Sequence, residues 1–203
     1  RTVPFAVVTG VFSPLSIAIM HRIGSKAVVA FGLTLMSAGF VMASTLDADS
    51  AYFGPVLASM VVMAAGLGLT TSPATEAIMG ALPADKAGVG SAVNDTTREL
   101  GGTLGVAIVG SVFASLYGPR IVDGLNGFPD QVVALAEESM GAAVVLSEQI
   151  PQGEVLLEAA RSAFMAGFQA GSLVAAAATG IGAVLALLWL PALLVFWGGG
   201  AAV

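Results

Sequence analysis

No cysteine occurs among the 203 residues, which excludes disulfides, thiol catalysis and any Cys-based metal site. The single histidine, His21, belongs to no HExxH pattern, so neither a metal nor any other cofactor is expected. Charge is scarce too. Asp, Glu, Lys and Arg together make up 10% of the chain, against about 25% in an average soluble domain, too few to coat a water-soluble surface. Lys and Arg number only 7 and do not cluster, so no nucleic acid is expected as a partner. No nucleophile elbow, phosphate loop or paired metal ligands are visible, and an enzyme is therefore not expected. The N-terminus lacks the basic stretch, short apolar run and cleavage site of a signal peptide. It begins at Arg1 and turns apolar at once, which reads as a cut in a longer chain.

What is abundant is apolar: 57% of residues, with a mean hydropathy of +0.93. A helix needs about 20 mostly apolar residues to cross a hydrocarbon core of about 30 Å. Five stretches qualify, at residues 4–20, 27–46, 54–79, 87–117 and 163 to about 189. The fourth is longer than a membrane requires and polar from Ser91 to Glu99, so its lipid-crossing part is expected at Leu100 to Tyr117. The last span with its tail is taken as 163–197, and Pro191 and Gly198-Gly199-Gly200 discourage any further span. The expected fold class is an all-α membrane protein with five transmembrane helices in a lipid bilayer.

Short basic loops favour the cytoplasm. His21-Arg22-Ile23-Gly24-Ser25-Lys26 is the strongest such loop, and Lys86, two spans later, falls on the same side. Asp47, Asp49 and the acidic stretch 118–162 then lie outside, with the N-terminus of the segment outside and its C-terminus cytoplasmic. The net charge of −6 reflects that placement rather than a basic partner. At about 45 residues, the stretch exceeds ordinary connections and should hold structure of its own. An amphipathic helix starting at Asp130 and running through Val132, Leu135, Ala136 and Met140 is expected near the outer surface. Tyr52, Tyr117, Trp189 and Trp197 fall near span ends, as interfacial aromatic anchors do.

Charge at membrane depth is costly, so each instance is a functional candidate. Glu76 sits late in the third span, and Asp95, Arg98 and Glu99 sit early in the fourth, at spacings that share one helical face. Asn94, Thr96 and Thr97 add hydrogen-bonding groups. Two roles are open: an internal ion pair that fixes packing or gates closure, and direct proton or substrate handling, for which Glu76 is the best placed. Gly101, Gly102 and Gly105 supply a GxxxG spacing suited to close helix approach, repeated at Gly167 and Gly171. Pro73 should kink the third helix, since it removes a backbone donor and crowds the preceding turn.

The run Gly90-Ser91-Ala92-Val93-Asn94-Asp95-Thr96-Thr97-Arg98-Glu99-Leu100-Gly101-Gly102-Thr103-Leu104-Gly105-Val106-Ala107 resembles the eleventh core helix of the major facilitator superfamily. More narrowly, it resembles the fourteen-helix drug:proton antiporters of the EmrB/QacA type. Gly66-Leu67-Gly68, Ser72-Pro73-Ala74 and Leu82-Pro83 are similar to the tenth core helix and its following turn. The loop containing Arg22, Gly24 and Lys26 resembles the C-terminal copy of the cytoplasmic Asp-Arg-x-Gly-Arg loop, with His21 in place of the Asp and Ser25 in place of the first Arg. The resemblance implies that the five spans are core helices eight to twelve, most of a C-terminal six-helix bundle. The N-terminal half of the transporter would then be missing from the segment, along with much of the proton-coupling machinery. It also implies proton-coupled efflux of small amphipathic or drug-like substrates across the plasma membrane, with the inner gate at Asn94, Asp95, Arg98 and Glu99. The alternatives are a related transporter of another substrate, such as a lipid, siderophore or metabolite, and a non-transporting scaffold or remnant.

Overall fold

The computed structural model describes residues 2–80 and 82–190, which are almost entirely helical and contain no strand. Helix α1 (Val3–Ile23) starts with Pro4 in its first turn, where a missing backbone donor costs nothing. It stops at Gly24, whose φ of 85° lies in a region that other residues avoid, and α2 (Ser25–Ser44) begins at once. A π-type turn at Tyr52–Val56, broken at Gly54 (φ 135°), leads into α3 (Leu57–Gly80), and Pro73 lies buried within that helix. One 3₁₀ turn (Ala84–Lys86) precedes α4 (Ala87–Gly124). Two short helices follow, α5 (Asp130–Glu138) and α6 (Met140–Ser147), then α7 (Gly153–Trp189). The stretch after Pro191, with Trp197 and the glycine run, lies outside the described residues.

Helices α1, α2, α3, α4 and α7 are long and apolar enough to cross a membrane. They pack in the spatial order α1–α3–α2–α7–α4. Each seam is made by small residues and hydroxyl groups, as expected where lipid is as apolar as the helices themselves. Between α1 and α3, the Ser13 and Ser72 hydroxyls bond at 2.7 Å, and Gly68 lies against Phe12. Between α3 and α2, a Cβ on Gly66 would come within 2.5 Å of the Gly32 carbonyl oxygen, so the two backbones nearly touch. Between α2 and α7, Ser37 Oγ donates to the Ala176 carbonyl (2.8 Å) and Gln169 Nε2 donates to that of Leu46 (2.8 Å). Between α7 and α4, Gly167 accepts the Phe113 ring and Gly171 accepts Val109.

The two end helices of this row are the least covered. In their most apolar stretches, 6% of α4 residues and 11% of α1 residues are buried, against 28–33% in the other three spans.

The stretch 118–162 is mostly helical. Helix α4 continues through Gly124 and α7 begins at Gly153, so both run past the ends expected for their membrane parts. With α5 and α6 they enclose a core of Tyr117, Ile121, Leu125, Ala136, Ala143, Leu156, Ala160 and Ala163. Ser139 Oγ accepts from the Ala142 amide (3.1 Å) at the start of α6, and the buried Tyr117 hydroxyl donates to the Ala136 carbonyl (2.9 Å). Helix α5 begins at Asp130, and its Ala136, Val132 and Val133 pack on this cap core.

Candidate functional site

The first turns of α4 carry the polar run. Asn94 is buried, and its Nδ2 donates to Asp95 Oδ1 at 3.3 Å. Asp95, Arg98 and Glu99 are exposed on the uncovered part of the helix, and no ion pair within 4.0 Å joins them among the described residues. The internal ion pair that the spacing of these residues allows is thus not formed; Asp95 instead accepts from the neighbouring Asn94 amide. Thr97 and Thr103 turn their hydroxyls back to the Val93 and Glu99 carbonyls (2.8 and 2.9 Å), which satisfies them within the helix.

Gly101, Gly102 and Gly105 continue the same side of α4, and a Cβ at any of them would meet nothing within 4 Å. Among the described residues, close approach is made by Gly167 and Gly171 of α7 and by the glycines between α2 and α3. At these three glycines, therefore, no described residue stands where a side chain would reach. Its nearest link to α3 is Gly90, which faces Leu82 and Met79. Glu76 is half-buried on α3 and joins Asp95, Arg98 and Glu99 through no hydrogen bond or ion pair.

At the α1–α2 turn, Gly24 is buried and its amide donates to the Met20 carbonyl (2.8 Å). Arg22 is exposed there and Lys26 half-buried, while Ser25 is buried with no partner for its hydroxyl among the described residues. At the opposite end, Asp49 meets Glu154, Glu158 and Arg161 around a polar pocket of ≈ 430 Å³. The acidic ends of α2 and α7 thus lie together. Reading the chain in one dimension missed this pairing, the hydroxyl pair Ser13–Ser72 and the Gln169 contact; isolated polar residues inside the spans were the available signal.

These features define an α-helical multi-pass membrane protein whose most polar intramembrane helix stands at the edge of its packing. No family model matches the chain. It is similar to the multidrug efflux pump LfrA of Mycolicibacterium smegmatis, 31% identical over 177 residues that make up 86% of this chain and 35% of that protein. It is also similar to the methyl viologen resistance protein SmvA of Salmonella typhimurium, 33% identical over 80% of this chain and 33% of that protein. The tetracenomycin C resistance and export protein of Streptomyces glaucescens is 28% identical over 86% of this chain and 34% of its own length. The chain spans about a third of the length of these curated relatives.

Proposed function

We propose that the chain forms most of the C-terminal half of a proton-coupled drug efflux permease of the major facilitator type. It would work in the plasma membrane, with the N-terminus of this segment outside and its C-terminus in the cytoplasm. The observation that carries this reading is the exposed face of α4, where the exposed Asp95, Arg98 and Glu99 run into Gly101, Gly102 and Gly105, with no described residue within 4 Å of where a Cβ of these glycines would stand. Exposing three charges and a glycine strip to lipid is unfavourable, whereas a second helical half packed there would cover the glycines and enclose the charges in a polar cavity. The names of the relatives, efflux pump and resistance protein, support drug-like substrates.

In this reading Asn94, Asp95, Arg98 and Glu99 organise the inner gate, and Glu76 faces the cavity or carries protons. Arg22, Gly24 and Lys26 form the cytoplasmic turn that pivots α1 on α2. The test is efflux of methyl viologen from cells expressing the complete transporter. At equal membrane expression, Arg98→Ala should lower efflux by about tenfold or more, the scale of one lost charge-assisted contact. Unchanged efflux would remove Arg98 from the gate.

A further inference from the structure

Gly24 is the one residue between α1 and α2, and these helices of 21 and 20 residues are each about as long as one crossing requires. The turn between them therefore stands at the level of the lipid headgroups. There α2 presents the unbonded start of its backbone. The Gly24 amide donates to the Met20 carbonyl (2.8 Å) and the Val28 amide to that of Gly24 (3.5 Å). The amides of Ser25, Lys26 and Ala27 make no hydrogen bond among the described residues, and no side chain caps the helix. A helix start of this kind carries about half a positive charge.

Ser25 adds a second, independent observation. It is 2% exposed, and its hydroxyl is the only buried side-chain oxygen or nitrogen without a partner among the described residues. Such a group is unfavourable and rare in folded proteins, and it calls for an ion or a water that bonds it. The charges beside it are of one sign. Arg22 is exposed and Lys26 half-buried, and neither enters an ion pair among the described residues. The first acidic residue of the chain is Asp47, so neither α1 nor α2 brings a carboxylate to this turn.

We propose that the α1–α2 turn is a binding site for a phosphate oxyanion. The free amides of Ser25, Lys26 and Ala27 and the positive end of α2 receive it, and Arg22 and Lys26 neutralise it. Rotation about its Cα–Cβ bond lets Ser25 offer its hydroxyl as one further donor. Two sources carry this chemistry: the headgroup of an anionic phospholipid in the adjoining leaflet, and free phosphate in solution. The proposal rests on the membrane-spanning helices and not on the efflux reading, and its test measures no transport.

The experiment uses the chain in dodecyl maltoside, a detergent without phosphate, and follows binding of dioctanoyl phosphatidylglycerol by native mass spectrometry. Dioctanoylglycerol, which has the same chains and no phosphate, is run in parallel. Saturable binding of one phosphatidylglycerol, well above dioctanoylglycerol, is expected. Ser25→Ala keeps every charge, yet it should lower phosphatidylglycerol affinity about tenfold, one hydrogen bond to a charged group, with the helical circular dichroism unchanged. Arg22→Gln, at an exposed position, should lower it about tenfold as well. Displacement of the lipid by millimolar inorganic phosphate, itself weakened by Ser25→Ala, would assign the site to free phosphate; binding of the lipid alone would assign it to the headgroup. Equal binding of the two lipids with no binding of inorganic phosphate would overturn the proposal. So would an affinity for both phosphate probes that Ser25→Ala leaves unchanged, since the hydroxyl would then be idle.

Discussion

Tyr117 shows how one side chain ties two parts of the chain together. Its ring stacks on Phe113, one turn earlier in α4, and its hydroxyl crosses to the Ala136 carbonyl in α5 (2.9 Å). Tyr117→Phe keeps the ring and strands that buried carbonyl, which should cost the cap about 1–3 kcal/mol. Leu156, fully buried in the same core, should cost about 2–5 kcal/mol when cut to alanine, through the lost burial and the cavity left behind. Limited proteolysis of residues 125–153 in nanodiscs would report both. Faster cleavage is expected for Tyr117→Phe and faster still for Leu156→Ala, and equal rates for wild type and both variants would deny the cap its own packing energy. The polar run at Asn94–Glu99 was legible from sequence because charge inside an apolar stretch stands out by itself. The hydroxyl pair Ser13–Ser72 was not, because it joins residues of two different helices, 59 positions apart in the chain.

Two sets of glycines divide the helices into packed and open faces. Gly66 of α3 meets the backbone of α2, so Gly66→Ala must push the two helices apart and should cost about 1–3 kcal/mol. Gly101 on α4 meets nothing, and Gly101→Ala should leave the chain equally stable or more stable by up to about 1 kcal/mol through helix propensity. Unfolding in mixed micelles followed by circular dichroism measures both, and a destabilised Gly101→Ala would mean that α4 has a partner within this chain. The five spans could be read from sequence because length and hydropathy determine them with no reference to tertiary contacts. The helix ends could not. Residues 118–124 and 153–162 mix charged and apolar side chains and read as loop, yet Ile121 and Leu125, and Leu156 and Ala160, repeat at four residues, the spacing of one buried helical face. That short repeat was the available signal, and only packing against α5 and α6 shows that it is used. The GxxxG spacing in α4 was equally visible, but spacing does not reveal whether a partner is present.

The molecule as a whole is a row of helices with its charged ends sorted. Arg22 and Lys26 lie at the α1–α2 turn, while Asp49, Glu154, Glu158 and Arg161 share a pocket at the opposite end. Because the chain has no cysteine, single cysteines can report this arrangement without background. With a membrane-impermeant maleimide on intact cells, Asn126→Cys in the cap should label, and Arg22→Cys should label only after permeabilisation. The reverse pattern would invert the orientation. The same architecture sets what the segment can do on its own. Alternate access needs two walls around a midplane site. Here α1 and α4 end the row with the fewest buried residues, and the charges of α4 face away from every described helix. Reconstituted alone in liposomes under an imposed proton gradient, the chain should move no methyl viologen. If the proposed reading holds, co-reconstitution with the N-terminal half should restore flux that Arg98→Ala lowers by about tenfold or more. Gradient-dependent flux by the segment alone would show that these five helices already enclose a pathway, and the open face of α4 would then need another explanation.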